Sequence, residues 1–157
     1  AYALQRAAEL FAHFGRESEA AAYRATARQL TENTYRLCWD AQRSLVADTP
    51  DKKQFSQHAN IMAVLTDAVP VAGQSAILRK INADTSVRAC TYYYRFYLFE
   101  AMKKVGLGEQ YLEMLGPWKD QLAIGLSTFA ENPEPTRSDC HAWSASPLYH
   151  FLSLVCG

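Results

Sequence analysis

The sequence predicts an all-α protein built of helical hairpins, and three observations carry that prediction. Apolar residues recur at helical rather than alternating spacing almost everywhere, most clearly at Tyr23, Ala27, Leu30, Thr34 and Leu37. Gly15, Pro70, Gly106, Gly108, Pro117 and Pro147 punctuate the periodic stretches, as helix ends and starts require. The 157 residues are 49% hydrophobic and 20% charged, enough for one core of ordinary domain size. Six or seven helices paired in this way form a bundle, a solenoid or part of an α/α toroid, with no clear strands.

The elements follow in order. Leu4, Ala8 and Phe11 make a first stripe that stops at Gly15, so residues 1–14 and 18–39 read as an antiparallel hairpin. Residues 40–53 hold a short apolar run, Leu45-Val46-Ala47, but Pro50 and the charges around it favour a loop. Helix resumes near Phe55 with Ile61, Leu65 and Ala68 on one face, and Pro70 either ends it or opens the next helix, over 70–82. Tyr94, Leu98, Ala101 and Val105 mark a further helix that Gly106-Leu107-Gly108 closes. A short return helix covers 109–115, Pro117 starts another, and Ser146-Pro147 resembles an N-cap and first turn launching 148–155. The hairpins differ in length and share no register, which weakens the solenoid form.

Composition excludes several classes of function. Sixteen basic residues balance sixteen acidic ones, so no overall field draws the chain to nucleic acid or an anionic membrane. No apolar run reaches transmembrane length. Cys38, Cys90, Cys140 and Cys156 lack the close pairing of zinc sites and read as buried or half-buried thiols. His13 and His150 have no partners at metal-ligand spacing, so no metal is expected, and nothing calls for an organic cofactor. The opening Ala1-Tyr2-Ala3-Leu4 already reads as mid-helix, and the expectation is a chain that begins inside a longer protein.

Three polar segments could carry chemistry. The longest spans 128–147 and holds Glu131, Glu134, Asp139, Arg137, His141 and Trp143 among prolines. Long loops in compact domains are often functional, and this set suits a carbohydrate. Carboxylates serve acid–base steps, a His meets hydroxyls, and an indole face meets the C–H surface of a sugar. The same composition also fits a solvated loop anchored by a buried Trp. The second segment, Gln54 to Asn60 with His58 inside it, fits either a pocket wall or the ordinary satisfaction of a helix N-terminus. The third, Thr91 to Glu100, is aromatic at a density typical of core packing, though Tyr93, Phe96 and Glu100 share a face and Arg95 is available for pairing.

Taken together, QFSQHAN at 54–60, CTYYYRFYLFEAM at 90–102, LGPWKDQLAIGLSTFAE at 115–131 and TRSDCHAWSASPLYHFL at 136–152 resemble one family. It is the bacterial α-L-rhamnosidases of glycoside hydrolase family 78, in the C-terminal half of their catalytic domain. The resemblance implies that the chain, 1–157, is a single fragment of an (α/α)6 toroid, with the active site at the funnel formed by loops at one end. It implies hydrolysis of terminal α-L-rhamnosides with inversion, by an acid and a base on opposite faces of the sugar. The family's base lies in a Thr-x-Trp-Glu pattern, which Thr128-Phe129-Ala130-Glu131 matches except for Ala130 in place of Trp, and His141 matches a downstream His. Trp143, His58 and Arg95 are the further expected sugar contacts.

Asn132-Pro133-Glu134-Pro135 also replaces a Trp-containing continuation. Trp143 or Trp118 would then have to supply the lost aromatic surface. The family's general acid belongs to an acidic, Arg-containing motif that nothing here matches. The resemblance therefore implies half an active site, without glycosidase activity of its own. Half a toroid would expose apolar faces and self-associate. The alternatives are a non-catalytic helical scaffold or interaction module, and a six-hairpin glycosidase for another sugar.

Overall fold

The computed structural model describes residues 1–133 and 135–156. The chain divides into two compact units that meet after Arg88.

In the first unit, α1 (Tyr2–His13) and α2 (Glu17–Cys38) form the expected antiparallel hairpin. Gly15 turns the corner at a φ of 71°, a left-handed conformation that costs a residue without Cβ nothing. The seam is made of small residues, with Ala8 buried on α1 and Ala20, Ala27 and Thr31 on α2. Phe11 meets Tyr23 edge to face at 5.1 Å. The apolar stripe read from the sequence is only partly the buried one: Ala27 lies inside, while Leu30 and Leu37 are exposed. Small side chains let the two backbones approach closely, and the leucines beside them point away from that seam.

Where no clear strand was expected, a two-residue ladder forms. β1 (Trp39–Asp40) pairs antiparallel with β2 (Leu45–Val46), Trp39 opposite Val46. Leu45, Val46 and Ala47 are buried, and a buried strand must bond its backbone. Asn60 supplies the missing partners: its amide accepts from Val46 N at 2.9 Å and donates to Val46 O at 2.9 Å.

α3 (Gln57–Leu65) starts at Ser56, whose hydroxyl accepts from Ala59 N. Pro70 opens α4 (Val71–Ala83). Ile61, Val64, Ile77, Leu78 and Ile81 fill the core of this unit.

In the second unit, α5 (Arg95–Lys104) buries Leu98, Phe99, Ala101 and Met102. Gly106 ends it at a φ of 74°. The expected return helix is two 3-10 turns, Gly108–Gln110 and Leu112–Leu115, before α6 (Gly116–Ala123) begins with Pro117 in its first turn. After the long loop and a 3-10 turn at Ala142–Ser144, α7 (Pro147–His150) widens into a π-helical turn over Phe151–Val155. Ser146 precedes Pro147 as expected but makes no side-chain cap bond.

The four cysteines form no disulfide; Cys90 is buried and Cys38 half-buried as expected, but Cys140 and Cys156 are exposed. Among the described residues no helix is long and apolar enough to cross a membrane.

The packing of α7 depends on His150, which is wholly buried. Its ring lies among Phe96, Phe99 and Tyr111, with centroids 5.3, 5.1 and 5.9 Å away. Nδ1 faces Ser146 O at 3.1 Å and Nε2 faces Glu100 Oε1 at 3.4 Å. Burial holds the imidazole below its usual range, with Lys103 adding to the effect and the Ser146 carbonyl and Glu100 opposing it. The folded state therefore binds this proton more weakly than the unfolded state does. Stability is full above the unfolded value near 6.5 and falls as pH drops toward the folded one. His58, half-buried, shifts in the same direction for the same first cause. Thermal unfolding followed from pH 8 to pH 5 should show stability lost on the acid side, and His150→Gln should reduce that loss; an unchanged acid slope would assign the loss elsewhere.

Candidate functional site

The polar loop lies within the second unit, and α6 holds it at both ends. Trp118, 7% exposed, donates Nε1–H to Ser144 O at 2.8 Å. One turn on, Gln121 accepts at Oε1 from Ala130 N at 3.0 Å. Between these anchors the loop closes on itself. Phe129 O accepts from His141 N at 2.6 Å, and Ser138 O accepts from Glu131 N at 2.9 Å. The Thr128 hydroxyl donates to Asp139 O. Pro133 and Pro135 lack amide protons, which reduces the number of donors the loop must satisfy.

Glu131 sits at this neck with its side chain 16% exposed. Arg137, 81% exposed, grips both carboxylate oxygens: Nε reaches Oε2 at 2.9 Å and Nη2 reaches Oε1 at 2.5 Å. Such a fork is a charge-assisted, geometrically specific pairing. Each oxygen keeps a second lone pair, so Glu131 can accept from a further donor while Arg137 holds it, and release of one oxygen would free the forked edge as well. The exposure of Arg137 makes that release cheap, since solvent re-solvates the guanidinium.

His141 and Trp143 lie together with a residue that the sequence had assigned to core packing. Tyr93 stands 6.3 Å from the His141 ring and 5.9 Å from the Trp143 ring, and those two rings are 6.1 Å apart. Trp143 is 74% exposed, so it offers an open indole face, whereas Trp118 is buried beneath the loop. Phe96 and Glu100, expected on the same face as Tyr93, turn instead to His150. Arg95 lies over the Trp118 ring at 6.0 Å, and its Nε is buried without an acceptor among the described residues. Near its charge the Cys90 thiol is nonetheless pushed up to about 11, because burial outweighs the cation.

His58 belongs to the first unit, with Asp48 and Arg88 the charges that act on it. Its neighbours behave as ordinary structural groups. Ser56 caps α3, Asn60 completes β2, and Gln57 donates to Ile81 O at 3.0 Å. Of the other carboxylates in the loop, Asp139 is exposed, and Glu134 lies outside the described residues.

A cavity of 380 Å³ with mainly apolar walls, among them Trp118, Leu122, Phe129 and Phe151, opens beside α6. A smaller one of 160 Å³ is walled by Tyr92, Gln121, Ala130 and Asn132. Among the described residues no three His, Cys, Asp or Glu side chains gather as a metal site. Gln121 and Tyr93 are the residues that sequence reasoning missed. The available signal for Gln121 was its place three residues after Trp118 on the buried side of α6.

Because Arg137 is exposed, its pairing with the half-buried Glu131 should contribute little to the fold. Arg137→Ala is expected to change unfolding free energy by less than about 1 kcal/mol in urea denaturation; a larger loss would show that the pair pins the loop.

No sequence model of a protein family and no curated protein sequence matches the chain. Two solved structures do. A rhamnosidase from Klebsiella oxytoca, with rhamnose bound, superposes with a TM-score of 0.82 at 26% identity, over 96% of this chain and 32% of that one. A GH78 family rhamnosidase of Bacillus sp. GL1 superposes with a TM-score of 0.79 at 23% identity, over 97% of this chain and 18% of that one. The chain thus spans a third or less of the length of either protein. The resemblance to family 78 stands, and with it the expected fold class, all-α with helical hairpins forming part of an (α/α)6 toroid.

Proposed function

We propose, for a chain with the fold of part of a family 78 rhamnosidase, that it supplies the base side of an inverting glycosidase acting on terminal α-L-rhamnosides. The observation that carries this reading is the loop at the foot of α6. It places one paired but releasable carboxylate, Glu131, in a chain whose fold follows that of a rhamnosidase with rhamnose bound. In this reading Glu131 takes a proton from water as the water oxygen bonds to the anomeric carbon. The bond to the leaving oxygen breaks on the opposite face, and an acid not matched by any motif here protonates that oxygen. A water fits between such a pair when the carboxyl groups stand about 6.5–9.5 Å apart.

Trp143 presents its open ring to the C–H face of the sugar, and His141 beside it bonds to a hydroxyl. Arg95 and His58 are the further contacts in this proposal. The fork of Arg137 on Glu131 is the one observation favouring a second reading, a non-catalytic helical scaffold, in which the pair is simply structural. Ala130 in place of Trp, and Asn132-Pro133-Glu134-Pro135 in place of a Trp-containing continuation, favour a third, a glycosidase for a different sugar. A panel of aryl glycosides separates the catalytic readings.

In the full-length enzyme, Glu131→Gln should lower kcat on an aryl α-L-rhamnoside by about 10²–10⁴ with an unchanged circular dichroism spectrum. The chain alone should show no turnover. A near-normal rate for the variant would move the base elsewhere, and turnover by the isolated chain would end the half-site reading.

Leu122, Leu148 and Leu152 are each largely exposed, and apolar surface of that kind drives association. Sedimentation of the isolated chain should therefore show species heavier than the monomer; a single monomeric boundary at all concentrations would contradict this.

A further inference from the structure

The first unit has a pocket of its own, between the loops on either side of β2 and the turn after α4. It measures 270 Å³, and its walls include Arg43, Lys53, Arg88, Asp48, Gln54 and Thr85. Three cations and one carboxylate line it, in a chain whose charges otherwise balance. Arg43 is fixed in place. Its Nη2 donates to Asp84 Oδ2 at 3.2 Å and to Ser86 Oγ at 2.7 Å, and its guanidinium lies over the Phe55 ring at 4.3 Å. Asp84 is committed to this arrangement, since its other oxygen accepts from Ser86 N and Ser86 Oγ.

The other two cations keep most of their bonding capacity. The Arg88 guanidinium is exposed and has no acceptor or ion-pair partner among the described residues. Lys53 Nζ lies 3.8 Å from Asp51 Oδ2, a loose pair whose side chains are 80% and 52% exposed. Asp48 is half committed: Oδ1 accepts from Ser56 Oγ at 2.6 Å, and its second oxygen has no donor among the described residues. Two guanidinia, an ammonium and one open carboxylate oxygen match a molecule carrying an anionic oxygen group and at least one hydroxyl. The volume, roughly nine waters at about 30 Å³ each, exceeds what a bare ion fills.

We propose that this pocket binds a small hydroxylated acid. Arg88 and Lys53 hold its carboxylate or phosphate group beside the fixed guanidinium of Arg43, and a ligand hydroxyl donates to Asp48. A cation already held by its own protein partners loses little freedom on binding, so Arg43 sets the position while the two mobile cations close on the anion. A neutral molecule of the same size would leave Arg88 and Lys53 better solvated by water than by the ligand. The inference stands apart from the rhamnoside reading and uses none of its residues.

The test is a titration of the isotope-labelled chain with three probes that share one carbon body: glucuronate, glucose 6-phosphate and glucose. Chloride makes up a constant ionic strength, and the readout is the Nε–H resonances of Arg43 and Arg88 with the backbone amide of Ser86. The expected result is a saturating shift with at least one of the two acids and none with glucose; the tighter acid tells carboxylate from phosphate. Arg88 makes its structural bonds through its backbone, donating to Phe55 O at 3.0 Å and accepting from Gln57 N at 2.9 Å. Arg88→Ala should therefore keep the circular dichroism spectrum and weaken binding about tenfold or more. Shifts that rise linearly without saturating, an equal response to glucose, or unchanged affinity in Arg88→Ala would overturn the proposal. Should that variant fail to fold, Lys53→Ala, at a more exposed position, is read against the same two outcomes.

Discussion

The long loop of the second unit carries no regular ladder, so its backbone groups must find partners one by one, and α6 provides the two that matter. Trp118 and Gln121 lie one turn apart on the buried side of that helix, and each is a large side chain with a polar end. Burying an indole N–H or an amide without a partner is costly, so both are driven to bond whatever backbone lies against them. Ser144 and Ala130 are those backbones. With its two ends fixed, the loop needs only three internal bonds to narrow into a neck, and Glu131 and His141 sit at that neck. The chemistry of the site follows from a requirement of hydrogen bonding. The carboxylate is where it is because the residue before it satisfies a glutamine.

Much of the fold was legible because helices announce themselves by period and punctuation. Gly15, Pro70, Pro117 and Pro147 all fall within a residue or two of helix boundaries. Less legible was which side of α2 is buried, since the spacing of Tyr23, Leu30 and Leu37 shows an apolar stripe but not what it packs against. The close seam of Ala20 and Ala27 left those leucines outside. The β1–β2 ladder was invisible because two residues are too few to show alternation, and the partner that completes it, Asn60, is remote in sequence.

At the candidate site, composition singled out the loop with its three carboxylates, Arg137, His141 and Trp143, and only the resemblance to family 78 chose Glu131 among the carboxylates. The fork from Arg137 was not readable, because a six-residue separation across two prolines gives no regular spacing. Tyr93 was hidden by its own neighbours: in a run of aromatics, the one that meets His141 and Trp143 looks like the others. His58 shares a polar segment whose Ser56, Gln57 and Asn60 serve α3, α4 and β2, so most of that segment's polarity answers to structure within the first unit.

The ion pair at the neck sets the terms of any reaction. A carboxylate held by two guanidinium bonds is positioned but not free, and an exposed partner is one that can let go. Such an arrangement suits a base that is held in place until a sugar arrives. The most direct discrimination is a crystal structure, with L-rhamnose bound, of the longer glycosidase proposed to contain this chain. The account predicts one Glu131 oxygen released from Arg137 and hydrogen-bonded to a water on the far side of the anomeric carbon. A second carboxyl group should then stand about 6.5–9.5 Å away across the sugar. A sugar bound elsewhere, with both Glu131 oxygens still held by Arg137, would contradict it.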